Sequence, residues 1–577
     1  MSNDLGLDRS GNNNNWTVNN ISYVDQMLDS PTNNFATIDP LSSGAGVFAE
    51  GNLKYTSTAD TGVGTLGISS GKAYFEVTIS STSNSHIGIC DIGKGINPLR
   101  GGNWSDHGGI TYKQNGDQYR LPAGGGSSTT ASYGASYTNG DIIGVALDVD
   151  NNTIKFYKNN VSQGNTAQGP SFISSSGVYS IMIYGGGTVF TANFGQDSSF
   201  AGAKTSQGNQ DSNDIGDFYY TPPNLFLSLC TSNLPDVDVV PSKNFNAVAY
   251  TGTGSNQVVT GVGFQPDFLW LKNRSLGYGH KLFDVLRGLG SANPGSLSSD
   301  AGDAEGTFNY INAVSNDGFT TVSQQYSTNN PGSAIVAWNW KANGSGSSNT
   351  AGSINSTVSV NNDAGFSIVS YTGNGTAGAT VGHGLSKAPE MWIIKNRNAS
   401  SDWVVWHKDL GNQTKNLYLQ STAAIQTEPP PPGIATIPSS TLVSLGTFPQ
   451  YNGNNQNIIM YAFHSVDGYS KVGSYTGNGV TNGPFVYTGF RPAFVLTKVT
   501  NAADDWSIAD YSRSPNNVAD KSLRPNSVAA EDSAADIDIL SNGFKVRQAD
   551  SHRINYSGDT FIYIAFAETP FKYSNAR

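Results

Sequence analysis

The sequence has little charge and no long apolar run. Of its 577 residues only 13% are Asp, Glu, Lys or Arg, and the formal net charge is −11. Phosphate binding needs clustered Lys and Arg, which are not seen here, so this composition argues against a nucleic-acid partner. No stretch approaches the roughly 18 apolar residues of a membrane-spanning helix. We therefore expect a protein that neither binds nucleic acid nor inserts into a membrane.

Cysteine is scarce as well. The two cysteines, Cys90 and Cys230, lie in different segments, and no metal-ligand spacing surrounds either of them. Cys90 stands in an apolar run and is expected to be a small buried hydrophobe, so stability should not depend on disulfides. The polar, Asn-rich first 20 residues have neither the charged nor the apolar region of a secretory signal, so we expect no signal peptide.

Glycine and neutral polar residues are abundant, and they indicate many turns. The 67 glycines suit all-β modules better than helical ones, and 577 residues are enough for roughly three to five domains. Between about 43 and 205, short strand signals alternate with turn residues. Ala73, Phe75, Val77 and Ile79 share one face of a predicted strand, and Tyr74, Glu76 and Thr78 the other. Asp150-Asn151-Asn152 between two apolar runs predicts a hairpin, because Asn tolerates positive φ.

Residues 43–205 resemble the SPRY family. The motifs that carry the resemblance are the strand from Gly71 to Val77, the hairpin from Gly140 to Asn159 and the closing Asn193-Phe194-Gly195. The resemblance implies a concanavalin-like sandwich of two sheets that binds partners through its loops and has no catalytic role.

The remaining chain repeats one pattern three times. Each copy has an aromatic-Thr-Gly-x-Gly element, a proline, a lysine six residues after the proline, and a terminal Ala-aromatic pair. The copies are Tyr250 to Gly254, Pro266, Lys272 and Ala337-Trp338; Tyr371 to Gly375, Pro389, Lys395 and Ala462-Phe463; and Tyr475 to Gly479, Pro492, Lys498 and Ala565-Phe566. This spacing predicts a tandem array of one module.

Each copy should be built of strands. An apolar run of four begins two residues after each proline, which is tolerated where a strand starts, and the terminal aromatic belongs to a closing strand. The glycine element could be a phosphate loop, but it lacks the Lys-Ser/Thr of a P-loop and occurs three times. A tight turn after a strand is the better interpretation.

The predicted fold is therefore all-β, an N-terminal SPRY-like sandwich followed by three β-rich modules. The predicted divisions are an N-terminal arm at 1–42, the sandwich at 43–205, a linker at 206–243, the first segment at 244–342, a Gly/Ser-rich spacer at 343–363, the second segment at 364–466 and the third segment at 467–577. The arm is either a disordered tail or a docking arm, and anchors such as Trp16 and Phe35 favour docking.

Candidate binding residues are few. Trp104 and His107 lie in a Gly-flanked loop that could stack a sugar or contact a protein; the alternative is a tryptophan folded over the edge of the sandwich. His383 and His407 are interpreted as loop or surface imidazoles, and no histidines pair at metal-ligand spacing. Acidic clusters such as Asp148-Val149-Asp150 are better explained as turn and surface charges than as calcium ligands or a glycosidase pair.

No catalytic motif appears, so we expect neither an enzyme nor a cofactor or metal. From about residue 244 the chain resembles a repeat of proteins encoded by tailed phages, marine ones above all, through Tyr371 to Gly375, Pro389 to Arg397, Asn316 to Phe319 and Ala337 to Lys341. The resemblance implies a virion appendage, located on the extracellular particle and made in the host cytoplasm.

Three functions remain open. The chain is a tail fibre that recognises a host-surface glycan or protein while its arm binds other virion proteins, or a capsid decoration, capsid fibre or connector, or a depolymerase, which would need an acidic cleft. We expect a homo-oligomer, a trimer resting on faces of the β-modules. The repeated residues are interpreted as scaffold, and recognition is assigned to the stretches between the lysine and the closing strand, where the copies differ.

Overall fold

The structure is a computed structural model of the chain. It consists of two compact units, Met1–Asp236 and Val237–Arg577, which are described separately. The described residues are 5–8, 10–19, 27–30, 33–81, 84–94, 108–122, 128–164, 166–167, 173, 177–234, 237, 239–291, 294–427 and 437–571.

The first unit is built of strands. In chain order they are β1 (Val47–Ala49), β2 (Lys54–Val63), β3 (Lys72–Ser81), β4 (His86–Asp91), β5 (Gly109–Lys113), β6 (Asp117–Leu121), β7 (Thr129–Ser132), β8 (Ile142–Asp148), β9 (Thr153–Lys158), β10 (Val161–Ser162), β11 (Thr166–Ala167), β12 (Tyr179–Asn193) and β13 (Leu227–Ser228). Short 3-10 helices span Ile92–Lys94 and Thr231–Asn233.

The long strand β12 joins the two parts of the β-sandwich. Its first half pairs with β4, which continues through β5 and β6 to β7, and its second half pairs with β3, which continues through β8 and β9 to β10. Register shifts in its pairing with β2 fall between Tyr184 and Val189, around three consecutive glycines. Irregularities of this kind let one strand serve both sheets. The predicted hairpin is confirmed, because β8 pairs with β9 and Asn152 has a φ of 53°.

Strand β3 is buried on both faces. The predicted polar face is covered as well as the apolar one, since Tyr74, Glu76 and Thr78 are all buried. Part of the predicted linker 206–243 lies over this face: β13 pairs with the start of β3, and the ring of Phe218 packs edge-on against Tyr74 at 5.3 Å. The structure differs from the predicted linker because side chains of the sandwich bond to the backbone of this segment: Glu76 accepts from the N–H groups of Tyr219 and Tyr220, and Asn193 Nδ2 donates to the carbonyl of Asp217. Composition does not reveal such bonds.

The described residues of the predicted arm differ in burial between its start and its end. Trp16 is 81% exposed, whereas Phe35 and Ile38 are buried, and Ile38 forms a bridge to Gly64 of the sandwich. The end of the arm therefore belongs to the core of the first unit.

The second unit is also built of strands. They are β14 (Phe245–Thr251), β15 (Gln257–Val259), β16 (Phe268–Asn273), β17 (Lys281–Asp284), β18 (Ile311–Ser315), β19 (Gly318–Thr321), β20 (Ala334–Trp340), β21 (Ser347–Asn349), β22 (Ser356–Asn361), β23 (Phe366–Thr372), β24 (Ala379–Gly382), β25 (Met391–Asn396), β26 (Val404–His407), β27 (Lys415–Tyr418), β28 (Gln426–Thr427), β29 (Leu442–Leu445), β30 (Asn457–Phe463), β31 (Ser470–Thr476), β32 (Phe485–Tyr487), β33 (Phe490–Val499), β34 (Ser507–Asp510), β35 (Ile537–Leu540), β36 (Gly543–Val546) and β37 (Thr560–Pro570). Its described helices are single turns, α1 (Tyr326–Asn329), α2 (Pro449–Asn452) and 3-10 turns at Pro241–Lys243, Val285–Arg287 and Lys408–Leu410.

One strand order occurs in each of the three segments. The first sheet is β14-β20-β16-β17, the third sheet is β31-β37-β33-β34, and the second sheet contains β23-β30-β25-β26 with further strands at both edges. In each, the opening strand and the strand near the proline flank the closing strand. A smaller sheet accompanies each one, formed by β15-β19-β18, β24-β29 and β32-β36-β35.

The three large sheets share a central core. Alternate residues of their strands separate into two sets: Val336, Trp338 and Trp340 belong to the central core, while Ile335 and Ala337 belong to a separate core of the first segment. The second and third segments have their own cores in the same way. The central core contains aromatic residues from all three segments, including Trp340, Phe463 and Phe566.

The register corrects the predicted pattern of the first segment. Pairing places Trp340 opposite Phe268, as Phe463 lies opposite Met391 and Phe566 opposite Phe494. The residue equivalent to the later aromatics is therefore Trp340, 68 residues after its lysine as in the other segments, and not Trp338. The assignment of Ala337-Trp338 was wrong because both tryptophans face the core, and the sequence does not show which one pairs in register.

Two further differences concern strand boundaries. Pro492 does not precede its strand but lies inside β33 at a register shift, where the missing N–H is tolerated. The predicted spacer 343–363 forms β21 and β22, which extend the edge of the second sheet. These strands were missed because the many Ser and Thr residues of the spacer hide the alternation of apolar and polar residues. The alternation is present in the structure, where Val358 of β22 is buried.

Candidate functional site

The candidate binding loop of the first unit lies outside the described residues. This applies to both of its candidate residues, Trp104 and His107. The acidic cluster near Asp148 is described, and its carboxylates bond the hairpin to the start of β3. Asp148 forms an ion pair with Lys72 at 3.1 Å, and Asp150 accepts from the backbone N–H of Gly71 at 2.9 Å. Among the described residues, no group of three His, Cys, Asp or Glu side chains could hold a metal ion.

His383 and His407 were interpreted as loop or surface imidazoles. His383 does lie in a loop directly after β24, but neither histidine is at the surface. Both are fully buried, and burial lowers the pKa of each to about 4. The Nδ1 atom of each accepts a hydrogen bond from a backbone N–H two residues later, and its Nε2 faces a backbone carbonyl. A neutral imidazole with hydrogen bonds at both nitrogens can be buried at little cost in free energy. The polarity of histidine was therefore not enough to predict whether these two residues are buried or exposed.

Glu76 is a fully buried carboxylate of the first unit. Desolvation by burial raises its pKa to about 7, although four groups donate to it. The backbone N–H groups of Tyr219 and Tyr220 donate at 2.8 Å, Asn193 Nδ2 at 3.1 Å and the Tyr74 hydroxyl at 3.2 Å. All four are protein groups, so Glu76 fastens residues 219–220 to the sandwich.

The glycine elements are turns fixed by buried asparagines. In the first segment Asn329 Oδ1 accepts from the N–H groups of Thr253 and Gly254, at 2.8 and 3.2 Å. Asn555 Oδ1 accepts from the N–H groups of Asn478 and Gly479 in the third segment. In the second segment Asn452 Oδ1 accepts from the N–H of Asn374, while the N–H of Gly375 donates to the backbone carbonyl of Asn452. The N–H groups that a phosphate would require are thus occupied. These asparagines were missed, although each follows its lysine by 57 residues.

The lysines connect neighbouring segments. Each ammonium is buried and donates to backbone carbonyls of its own segment and of another: Lys272 Nζ to Tyr278 O (2.6 Å) and Val528 O (2.9 Å), Lys395 Nζ to Ser401 O (2.8 Å) and Gly302 O (2.8 Å), and Lys498 Nζ to Asp504 O (2.8 Å) and Thr422 O (3.1 Å). The first segment reaches the third, the second reaches the first, and the third reaches the second. The segments therefore close a ring, whose contacts we call the first–second, second–third and third–first seams.

Desolvation lowers the pKa of each of these lysines, from the ordinary 10.5 to about 8. Eight residues after each lysine, a ring nitrogen makes a second contact across the same seam. The contacts are His280 Nε2 to Arg524 O (3.0 Å), Trp403 Nε1 to Ser298 O (2.8 Å) and Trp506 Nε1 to Tyr418 O (3.0 Å).

Two seams contain a chain of charges whose central aspartate and arginine are buried and whose outer residues are partly buried. At the first–second seam Asp284 accepts from Arg287 Nε (2.6 Å) and from the Tyr461 hydroxyl (2.7 Å), and the chain continues through Glu305 to Arg397. The third–first seam has the same chain, in which Asp510 accepts from Arg513 Nε (2.5 Å) and Trp338 Nε1 (2.9 Å), followed by Glu531 and Arg274.

The second–third seam differs. His407 stands where the others have aspartate, with Nε2 3.3 Å from the carbonyl oxygen of Tyr563, and Leu410 stands where they have arginine. Because Nδ1 accepts from the Asp409 N–H at 3.1 Å, Nε2 carries the proton and donates.

The third–first seam also contains a pocket of about 150 Å³ that is partly open to solvent. Its lining includes Ala247 from the first segment and Ala493, Tyr511, Ser512 and Glu568 from the third. It is distinct from the central core, where a space of about 20 Å³ is lined by apolar side chains alone.

These features define an all-β protein in which a SPRY sandwich precedes a ring of three sheets. The SPRY domain family matches residues 72–197. A family described as "Domain of unknown function (DUF7483)" matches residues 240–570, which is more than half of the chain, and the protein belongs to that family.

Solved structures similar to this chain include three proteins with low scores. The TRIM65 PSpry domain has 13% identity and a TM-score of 0.21, covering 28% of this chain and 90% of its own. The SPRY domain of human HERC1 has 18% identity and a TM-score of 0.21, covering 27% and 96%. Stonustoxin has 20% identity and a TM-score of 0.22, covering 28% and 27%. No curated protein matches the sequence.

Among the described residues, none forms a helix with the length and apolar character that crossing a membrane requires. Both cysteines are free and buried.

Proposed function

We propose that this protein is a non-enzymatic component of a phage virion, a tail fibre or similar appendage that displays β-modules for recognition of a host-surface glycan or protein. One observation carries the proposal: the recurrent polar residues are buried and bonded to the protein itself. Lys272, Lys395 and Lys498 bind carbonyls, and the turn asparagines bind backbone N–H groups. The recurrent residues are thus engaged in the scaffold, which leaves recognition to residues that differ between segments.

In this proposal the three segments are copies of one module. Their common strand order, the identical spacing from lysine to asparagine and the ring of equivalent seam contacts support it. The N-terminal arm docks on other virion proteins through exposed anchors such as Trp16. The oligomer is a homotrimer with contacts outside the central core, because the inner faces of the three sheets already cover one another within one chain. Weak sites then gain strength through several copies.

The test uses the full chain, labelled with a fluorophore, on a panel of marine bacterial cells. We expect saturable binding to a subset of strains and competition with phage adsorption. Absence of binding to every strain, together with tight binding to purified capsids or tails, would instead support the alternative of a capsid decoration or connector. Release of new reducing ends from host polysaccharide would contradict the non-enzymatic assignment, and a monomeric mass by light scattering would contradict the trimer.

A further inference from the structure

The pocket at the third–first seam exists because two positions of the ring are occupied by alanine. Strand register makes Ala247, Ile368 and Val472 equivalent, since they pair with equivalent residues of the closing strands. Ile368 and Val472 fill the central core, whereas Ala247 is only partly buried beside it and lines the pocket. The first segment therefore lacks a side chain of three or four carbons where the other two have one.

The second alanine replaces a carboxylate. Asp267 and Glu390 precede their lysines by five residues, and so does Ala493. Asp267 Oδ2 accepts from the N–H of Ala342 at 2.7 Å, and Glu390 Oε2 accepts from the N–H of Ser465 at 2.9 Å. Both donors belong to the peptides that connect consecutive segments. No such peptide connects the third segment to the first, because the first precedes it, and Ala493 leaves that space open.

The lining of the pocket suits a small ring with an apolar face and several hydroxyls. A cavity of about 150 Å³ admits one six-membered ring. The methyl groups of Ala247 and Ala493 and the ring of Tyr511 supply apolar surface. Within the described part of the chain, the hydroxyls of Tyr511 and Ser512 make no hydrogen bond to protein, so both can bind a ligand.

Charge narrows the class of ligand. Glu568 Oε2 lies 3.1 Å from Arg491, whose guanidinium also lies over the Tyr511 ring at 5.0 Å from its centre. The arginine neutralises the carboxylate and holds both lining residues in place before a ligand arrives. A pocket that is neutral as a whole and offers hydroxyls, a carboxylate acceptor and an aromatic ring fits an uncharged sugar better than an anionic one.

We propose that the third–first seam binds one uncharged pyranose unit of a glycan. The inference rests on the proposed recognition function and names the ligand class and the site. The sugar ring lies against Ala247, Ala493 and Tyr511, and its hydroxyls bind Ser512, Tyr511 and Glu568. The other two seams do not bind it, because Ile368 and Asp267 occupy these positions at one and Val472 and Glu390 at the other.

The experiment measures sugar binding by the full chain with saturation-transfer difference NMR. The probes are glucose, galactose, mannose, N-acetylglucosamine and, as an anionic comparison, N-acetylneuraminic acid. The key variant is Ala247→Ile, which fills the pocket with the residue that the second segment carries at this position. The matched control is Ala249→Ile, the same substitution two residues along β14 at an exposed position that does not line the pocket.

We expect at least one neutral sugar to bind, Ala247→Ile to weaken its affinity at least tenfold, and Ala249→Ile to leave it unchanged. Tyr511→Phe should weaken binding a few-fold, since it removes one hydroxyl. An unchanged melting temperature of Ala247→Ile would show that the loss is local. Binding of none of the neutral sugars, binding of the acid alone, or unchanged affinity in Ala247→Ile would overturn the inference.

The outcome is separable from that of the proposed function. If Ala247→Ile protein still adheres to cells while sugar binding is unaffected, recognition stands and the seam site is wrong. If wild-type protein adheres to no cells, the recognition function itself fails, whatever the pocket binds.

Discussion

The third–first and second–third seams occupy equivalent places in the ring but use different chemistry. The third–first seam buries a chain of alternating charges around Asp510 and Arg513, whereas the second–third seam has neutral His407 and Leu410. Buried charges are costly unless every one is paired, so the charged seam is sensitive to any single loss. The comparison teaches that one backbone arrangement tolerates either a paired chain of charges or a neutral hydrogen-bonded histidine beside a leucine.

The largest expected effect comes from breaking the charge chain. Asp510→Ala leaves the Arg513 guanidinium buried beside an empty position, and we expect a loss of about 4 kcal/mol in the free energy of unfolding. His407→Ala at the equivalent place should cost about 2 kcal/mol, since it removes a neutral hydrogen-bonding group. Urea unfolding followed by tryptophan fluorescence reports on the second unit, which holds every tryptophan except Trp16 and Trp104.

A double variant sharpens this test. Asp510→His combined with Arg513→Leu gives the third–first seam the residues of the second–third seam, and it should recover at least half of the loss, because no buried charge is left unpaired. Asp363→Ala, at an exposed loop, serves as the control and should change stability little. Equal losses in Asp510→Ala and His407→Ala would contradict the distinction between the seams.

The lysines should matter at all three seams. Lys272→Met, Lys395→Met and Lys498→Met each leave carbonyls of two segments without their donor, and we expect each to cost about 2 to 3 kcal/mol. The exposed Lys387→Met is the matched control, with an expected change near zero. Similar losses from all three variants support equivalent seams. A loss confined to one of them would show that the ring depends on a single contact.

The seams should also respond differently to pH. His407 has its pKa lowered by burial from the ordinary 6.5 to about 4, so the unfolded chain binds more protons between these values. Stability from this group is therefore present above pH 6.5 and lost as the pH falls toward 4. The difference in unfolding free energy between wild type and His407→Gln should shift by about 2 kcal/mol over this range. A difference that stays constant with pH would mean that His407 has the same pKa in the folded and the unfolded chain, so that burial does not lower it.

The smallest effect is expected at the turns. Asn329→Ala frees the N–H groups of Thr253 and Gly254, which lie near the surface where water can replace part of the bonding, and should cost about 1 to 2 kcal/mol. Asn452→Ala and Asn555→Ala should behave alike, and Asn362→Ala in an exposed loop is the control. A cost well above that of the lysine variants would mean that the turns, and not the seams, dominate the stability of the ring.

Much of the architecture could be predicted from the sequence. The all-β class and the hairpin at Asn152 follow from alternation and turn residues, and the SPRY sandwich was implied by the resemblance of residues 43–205 to that family. The burial of His383 and His407 did not follow, since it depends on backbone groups that arrive from elsewhere in the chain. Trp338 and Trp340 could not be told apart, because both face the core and only the pairing partner, Phe268, decides which one is in register.

The candidate site was harder to predict from the sequence than the fold. The sequence predicted Trp104 and His107 as binding residues, and both lie outside the described residues. It did not predict Ala247 and Ala493, because alanine carries no functional group and the two are 246 positions apart. They form a pocket only because the ring brings the first and third segments together.

The sequence by itself determined the strands, the turns and the threefold recurrence, because these arise from local backbone preferences and from the alternation of apolar residues. Only the tertiary structure decided that the three sheets share one core, that each lysine crosses to another segment, and that one of the three seams is left open. The physical reason is that these features depend on contacts between buried groups that are far apart in the sequence. A local sequence pattern does not show which of these groups come into contact.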